Sequence, residues 1–406
     1  MYNNFNKINK ILNLFILSNN LGKGLIIWLH NGLIIKSKIK NILLNLYKKK
    51  DFFLIKTPHI GLKEIYIISG HYLKYKNNFF SFNNKSNYNL KPMNCPYHCY
   101  IINILKPSKI PFRIMEFSNV YRNEKSGELK NIFRSRNFIQ DDCHIFCNKK
   151  HIYEEINQIY KHIIYIYNIF NFKKYKIFLS IKSDNNKSNK FIKNSYWEKS
   201  QLFLFNFLKK KKCKFKIVKG EAAFYGPKID FMVKDSLGKY WQLSTIQLDY
   251  NLPINFNIKY KKKIIIIHRA ILGSFERFIG LLLDNNRGNL PIWLSLIHLS
   301  ILPINIKFYK YSLFIKKTIE KKIKINIKIF NNFNKNFNYY IKKSELNKIP
   351  FLMLIGEKEY KNHYFSLRYK KKKKILYFKN IYKLIFFLKK KIAFPKYYKY
   401  YNDKKN

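Results

Sequence analysis

Apolar residues in the first twenty positions (MYNNFNKINKILNLFILSNN) recur at helical spacing, so the pattern predicts an opening amphipathic helix over 1–20. Gly22 and Gly24 close it ahead of a short apolar run, LIIWL, and residues 33–49 form a second helical pattern with a basic face. From 51 to 120 short β-branched and aromatic runs alternate with turn residues, which predicts antiparallel strands. Residues 151–172 return to helical spacing, and 183–195, rich in Asn, Lys and Ser, read as a surface loop. Strands resume over 214–260, where Gly-Glu-Ala-Ala and Tyr-Gly-Pro interrupt apolar segments. A helix over about 270–284 follows, closed by Asn285, Asn286 and Gly288. Pro291 and Pro303 flank a domain boundary, after which residues 297–395 alternate strands with Lys-rich helices, the pattern of a small α/β module. The Lys- and Tyr-rich stretch 396–406 reads as a disordered basic tail, and no internal repeat is present.

Composition sharpens this picture. The 406 residues suffice for two or three domains with proper cores, and 47% apolar with 18% aromatic residues excludes a disordered polyelectrolyte. Eighty basic residues against 22 acidic ones give a formal charge of +58, which points to a polyanionic partner held through phosphates or to an anionic membrane surface. Drift in an AT-rich genome is the competing source, because Lys, Asn, Ile, Phe and Tyr all have AT-rich codons and fill the chain. The two origins can coexist. Against that background, Arg stands out: only Arg113, Arg122, Arg134, Arg136, Arg269, Arg277, Arg287 and Arg368 occur. A guanidinium is a planar, permanently charged fork that Lys cannot copy, so each survivor answers a geometric need. Five cysteines in a chain of this length argue against a secreted disulfide framework. No signal-peptide pattern and no run of transmembrane length occurs, which predicts a cytoplasmic protein without membrane contact.

Cysteine and histidine cluster twice: Cys95 with His98 and Cys99, then Cys143 with His144 and Cys147. Zinc takes sulfur and imidazole nitrogen readily. Cys95, Cys99, Cys143 and Cys147 could enclose a structural ion. Alternatively, they are small buried hydrophobes, or three ligands from distant segments form a site with an open position. Spacing alone leaves all three open.

Six segments then spell a pattern in order: NLKPMNCPYH over 89–98, EFSNVYRNE over 116–124, FRSRNFIQDDCHIFC over 133–147, AFYGPK over 223–228, WQLSTIQLD over 241–249 and HRAILGSFER over 268–277. The chain resembles the threonyl-tRNA synthetases, a family of class II aminoacyl-tRNA synthetases, from about residue 5 to 395. The resemblance implies an α+β fold, with an antiparallel catalytic sheet flanked by helices over 1–296 and an α/β anticodon-binding domain over 297–395. It implies zinc held by Cys95, His144 and His268, selecting the three-ligand site, with threonine placed among Met93, Asp142, Tyr225 and Gln247. Zinc with an open position would take the amino and hydroxyl groups of threonine together, so valine is rejected for want of a hydroxyl; serine differs only by a methyl, worth about 1–3 kcal/mol. For ATP, which brings magnesium, the implied contacts are Arg122, Glu124, Arg134, Gln242, Thr245, Ser274 and Arg277. Arg122 would meet the α-phosphate and attacking carboxylate, Glu124 the adenine, Arg134 the terminal phosphate, and Arg277 the adenine ring face. Lys228 joins the phosphate region. His71 of Ser69-Gly70-His71 would stand near the accepting ribose hydroxyl. Asn334, Glu359 and Arg368 would contact anticodon bases of tRNA(Thr), and the Gly22–Gly24 and Trp28–Gly32 stretches resemble the segment that builds the family's homodimer interface.

Three positions depart from the family pattern: Tyr97 and Asn137 replace glycines, and Leu243-Ser244 stands where Cys-Gly is usual. The chain also opens at the catalytic domain, so the expectation is a ligase with no editing domain in the chain. A non-catalytic RNA-binding relative and a synthetase for serine or proline are the rival readings; the three ligands, Arg122, Arg277 and Asp142 weigh against both.

Overall fold

The computed structural model describes residues 2–48, 51–82, 87–183, 194–260, 263–331, 333, 336–372 and 374–395. These divide into two compact units, one of Ile16–Ile27 with Leu43–Asn285 and one of Met1–Phe15, Trp28–Ile42 and Asn286–Asn406.

The first of these units is built on an eight-stranded sheet. Its strands are β1 (Phe52–Leu54), β2 (Phe112–Tyr121), β3 (Asn137–Cys147), β4 (Tyr175–Ile181), β5 (Phe215–Lys219), β6 (Lys228–Lys234), β7 (Tyr240–Asp249) and β8 (Ile265–Ala270). They lie in the order β5-β4-β6-β7-β8-β3-β2-β1. Only the outermost pairs, β5/β4 and β2/β1, are parallel, and the five inner pairings are antiparallel. Cross-strand partners share a face, so register decides which side chains meet. On one face Lys228, Gln247, His268 and His144 form a row across β6, β7, β8 and β3. Beside it runs a second row of Asp230, Thr245, Ala270, Asp142 and Glu116. The opposite face carries Ile246, Arg269, Cys143 and Met115. Aromatic rings of the helices Ile152–Ile169 and Phe275–Asn285 and of the segment between pack beneath it, with Tyr167 against Phe231 and Phe170 against Phe278.

The 51–120 region is not all strand. Residues Lys63–Ile68, His71–Tyr75 and Cys95–Leu105 are helical. In the last of these Cys95, His98, Cys99 and Ile102 are buried, an i, i+3, i+4, i+7 stripe, and Pro96 sits in the first turn, where its missing N–H costs nothing. The opening helix spans Tyr2–Leu12 and stops where Asn13 turns to φ 51°; Phe15–Leu17 is a strand. Most of the 183–195 loop lies outside the described residues, as does the 396–406 tail.

The other unit holds a five-stranded sheet of β9 (Leu299–Pro303), β10 (Ile327–Ile329), β11 (Phe351–Ile355), β12 (Phe365–Tyr369) and β13 (Lys374–Phe378), ordered β10-β9-β11-β12-β13. The helices Tyr309–Lys322 and Ile381–Ile392 bury one face through Ile315, Ile319, Leu384 and Leu388 against Ile301, Met353 and Leu367. On the other face Tyr340 of the helix Phe337–Leu346 packs with Leu302, Phe330 and Leu352.

Candidate active site

The row on the large sheet brings three ligand atoms together. Cys95 Sγ, at the start of the helix Cys95–Leu105, lies 3.5 Å from His268 Nδ1, and His144 Nε2 lies 2.8 Å from the same nitrogen. All three residues are buried, with their ligand atoms within 4.8 Å of one another; this is the one such group of His, Cys, Asp and Glu among the described residues. The four-sulfur alternative fails on strand geometry. Cys143 and Cys147 have odd positions on β3 and point to the face opposite His144, and Cys143 stands across from Arg269. Cys99 is a buried apolar contact in a cluster with Ile102, Ile114 and Phe146.

The donor set fits a zinc ion. Burial pushes the Cys95 thiol well above its ordinary value, with Asp142 adding to the effect, so a cation is what would hold it as a thiolate. Two imidazole nitrogens face each other at hydrogen-bond distance, the arrangement a shared ion would take over. His268 Nε2 lies 2.8 Å from Asp249 Oδ2, which aims its Nδ1 toward Cys95 and His144.

Around the triad stand the predicted threonine contacts. Asp142 accepts from Asn94 Nδ2 at 2.8 Å, and its Oδ1 lies 3.9 Å from His144 Nε2. Tyr225 packs over the His268 ring at 5.1 Å between centroids and donates to Gln247 Oε1 at 3.3 Å. Met93 packs, half-buried, on the apolar cluster that includes Cys95. His71 also packs on the Tyr225 ring, 5.6 Å between centroids.

All seven residues assigned to ATP line one cleft of about 190 Å³ on the same sheet. Arg122 lies 5.2 Å from the Phe138 ring, with Nε donating to Pro92 O at 3.3 Å. Arg277 is held flat by two carbonyls, Nε on Phe133 O at 2.9 Å and Nη1 on Gln242 O at 2.8 Å. Burial and the charges of Arg122 and Arg134 lower its pKa to about 10, so it stays cationic at neutral pH. Arg134 donates from Nε and Nη2 to Glu124 Oε2 at 3.1 and 2.6 Å and reaches Glu128 at 3.2 Å. Ser274 caps the Phe275–Asn285 helix by accepting from Arg277 N, while Gly273 at φ 70° lets the chain pass Leu243 O, which a Cβ would meet at 2.4 Å.

Asp230 is a residue the sequence reading passed over. It binds Ser180 and Lys228 through one oxygen and Gln242 and Thr245 through the other, at 2.7–3.0 Å. Lys228 is therefore engaged by a carboxylate and is not among the cleft-lining residues. Asp230 and Asp249 stand on alternate strand positions pointing inward, which is the signal that could have found them. Arg136 clamps backbone, donating to Lys23 O and Glu124 O at 3.1 Å, and Arg113 pairs with Glu155 at 2.5 Å.

Comparisons with known proteins bear on the family to which this fold belongs. Residues 75–286, more than half of the chain, match the model of the tRNA synthetase class II core domain (G, H, P, S and T). A solved structure of the RNA-binding domain of threonyl-tRNA synthetase from Cryptosporidium parvum Iowa II superposes with a TM-score of 0.86 at 32% identity, covering 97% of this chain and 99% of that one. The chain belongs to the threonyl-tRNA synthetase family of class II. Among the synthetases named threonine–tRNA ligase, those of Azobacteroides pseudotrichonymphae and Flavobacterium psychrophilum are 40% and 38% identical over 375 residues, 89% of this chain. The chain spans 57% of the length of these curated relatives. A prolyl-tRNA synthetase from Giardia lamblia shares the fold at 15% identity, with a TM-score of 0.75 over 95% of this chain and 74% of its own.

Within this synthetase family the departures sit as follows. The Tyr97 hydroxyl lies against Gly61, whose absent Cβ would meet it at 2.0 Å, so the larger residue is accommodated by a glycine elsewhere. Ser244 hydrogen-bonds Tyr167 Oη at 2.9 Å on the buried face. Asn137 opens β3, its carbonyl accepting from Ser135 Oγ at 3.0 Å. In the smaller unit, Glu359 spends its carboxylate on Gly356 N at 3.0 Å and on Ser366 Oγ, while Arg368 is half exposed and pairs with Glu345 at 3.1 Å. Asn334 lies outside the described residues. No helix among the described residues is long and apolar enough to cross a membrane.

Proposed function

We propose that the chain ligates threonine to tRNA(Thr) through a threonyl-adenylate, with residues 1–296 as the catalytic domain, 297–395 as the anticodon-binding domain and 396–406 as a basic tail. The observation that carries this reading is the Cys95–His144–His268 triad beside Asp142, on the same sheet face as a cleft lined by Arg122, Arg134 and Arg277.

In the first reaction the threonine carboxylate attacks the α-phosphate of ATP and pyrophosphate leaves. Positioning and charge neutralisation carry such a step, because no covalent help is needed. Three guanidiniums near one another repel until a polyphosphate, with its magnesium, arrives among them. Arg277, fixed by two carbonyls, offers a flat cationic face to the adenine, and Arg122 is placed for the α-phosphate and the attacking carboxylate. Arg134 would leave Glu124 for the terminal phosphate, freeing Glu124 to accept from the adenine edge. Asp142 would accept from the substrate ammonium, while Met93, Tyr225 and Gln247 close the pocket. A bound zinc ion, held by Cys95, His144 and His268, supplies a Lewis-acid contact for an amine and a hydroxyl together, which valine cannot satisfy.

For transfer, His71 is suited to accept a hydrogen bond from the ribose hydroxyl rather than to hold its proton. Ser69 Oγ donates to Tyr66 O and so accepts from His71 Nδ1–H, which leaves the lone pair on Nε2. Burial, with the charges of His268 and Arg122, pushes the His71 pKa down to about 3, so the ring is neutral at pH 7. The relative described as an RNA-binding domain supports tRNA contact. Arg368, exposed on the sheet face, and Glu359 and Asn334 are the proposed anticodon contacts, and splayed bases allow such side-chain readout. A homodimer completes the reading.

Threonine-dependent exchange of pyrophosphate into ATP, with zinc quantified in the same sample, tests it. Exchange with threonine, little with valine and one zinc per chain are expected. Equal exchange with both amino acids, or activation unaffected by removing the metal, would overturn the assignment.

A further inference from the structure

The two histidines of the triad are supported in different ways. His268 leans directly on a carboxylate: Asp249 Oδ2 meets its Nε2 at 2.8 Å, and Asp249 Oδ1 is itself fixed by the amides of Asn251 and Leu252 at 2.7 and 3.0 Å. His144 has no carboxylate on its Nδ1. That atom lies 2.7 Å from Nδ1 of His98, with the two rings perpendicular. His98 Nε2 is buried without a hydrogen-bond partner and lies 3.5 Å from Glu116 Oε2. Glu116 accepts from Thr57 N at 2.9 Å and Thr57 Oγ1 at 2.8 Å and faces Lys91 Nζ at 3.4 Å. Lys91 in turn donates to Thr57 Oγ1 at 2.6 Å. Thr57, Lys91, His98, Glu116 and His144 are all buried, so this network is sealed from water.

The direction of the chain follows from what each group can do. A neutral imidazole has one N–H and one lone pair, and a carboxylate only accepts. His98 therefore presents Nε2–H to Glu116 and its Nδ1 lone pair to His144. His144 must then carry its proton on Nδ1, which leaves its lone pair on Nε2, the atom that faces His268 and Cys95. We propose that His98 and Glu116 are positioning residues that lock His144 in its Nδ1–H tautomer and so present Nε2 to a metal ion, with Lys91 and Thr57 holding Glu116 in place. This rests on the reading of Cys95, His144 and His268 as a metal site.

The relay makes metal affinity depend on a carboxylate that never approaches the ion. Removing such outer partners typically weakens metal binding roughly 10–100-fold. The test uses the full chain and measures the zinc dissociation constant by chelator competition, alongside denaturant unfolding of the metal-free proteins. His98→Phe fills the space but offers His144 no acceptor. His98→Gln can accept from His144 through Oε1 and donate to Glu116 through its amide, keeping the polarity of the relay. The pair Lys91→Met with Glu116→Leu removes both buried charges together, so neither is left uncompensated, and takes away the acceptor facing His98.

We expect His98→Phe and the double variant to weaken zinc binding by roughly 10–100-fold, and His98→Gln to restore most of the loss. Zinc affinity within about threefold of wild type in His98→Phe would overturn the relay, that change being well below the range for outer-shell loss. So would equal losses in His98→Phe and His98→Gln that follow the metal-free stabilities. Wild-type protein that binds no zinc in this assay would instead sink the metal site on which the relay depends.

Discussion

The two faces of the large sheet are made from the same strands, one residue apart, and both bury charge. On one face the ligand atoms of His144, His268 and Cys95 converge within 4.8 Å of one another, and three arginines line an open cleft. On the other, Arg269 lies 4.5 Å from the Tyr47 ring and donates to its hydroxyl at 3.0 Å, while neighbouring Asp141 accepts from the amides of Ile271 and Leu272 at 2.8 Å. Buried charge alone therefore does not mark chemistry. What distinguishes the two is access: Arg269 is sealed against the Tyr47 and Phe52 rings, whereas Arg122, Arg134 and Arg277 line a cleft that a ligand can enter.

The sharpest way to break the comparison is to remove one sulfur from each face. Cys95→Ser should lose most of its bound zinc and Cys147→Ser should keep it, by elemental analysis of purified protein; the reverse outcome would put the metal on the wrong face. Arg122→Ala should slow pyrophosphate exchange by roughly 10²–10³, the cost of losing one positioned donor, with an unchanged unfolding midpoint. Arg269→Met should do the opposite. It should cost about 1–3 kcal/mol in urea unfolding, because the Tyr47 hydroxyl loses a buried partner and Asp141 loses the charge that opposes its burial, yet leave zinc stoichiometry intact. The pH profile separates the faces further. Burial alone would raise the Glu116 carboxyl, but His98, Lys91 and Thr57 outweigh it and hold its pKa at about 2, against an ordinary 4.5. A depressed folded value means its contribution is fully present above pH 4.5 and is lost as pH falls through 2, so acid unfolding curves of Glu116→Gln should lack that component. The smallest effect is expected on the other sheet. Arg368→Ala breaks an exposed pair with Glu345 and should change folding stability by no more than about 1 kcal/mol, leaving tRNA affinity as the property that moves.

Much of the site was legible in sequence because the chemistry demands rare residue types. In a chain that otherwise uses Lys, eight arginines stand out; the resemblance assigned Arg122, Arg134 and Arg277 of these to ATP, and those three line the cleft. The three metal ligands came from resemblance, since spacing alone left the four-cysteine site standing. The period of two along β3 excludes that site, but only once the strand's limits are known. The supporting layer was not legible. Thr57 and Glu116 are 59 residues apart and Lys91 and Glu116 are 25 apart, and no local pattern pairs residues at such distances. The helix Cys95–Leu105 was hidden for a different reason: short apolar runs rich in Ile and Tyr satisfy both helical and strand readings, and tertiary packing decided.

The register of β3 carries one more consequence. Asp142 and His144 face the substrate side while Asp141 and Cys143 face the core, so inserting or deleting one residue ahead of them would exchange the pairs. The strand thus behaves like a reading frame. A single-codon insertion ahead of Asp141 would carry Asp142 and His144 to the core face and bring Asp141 and Cys143 out to the other.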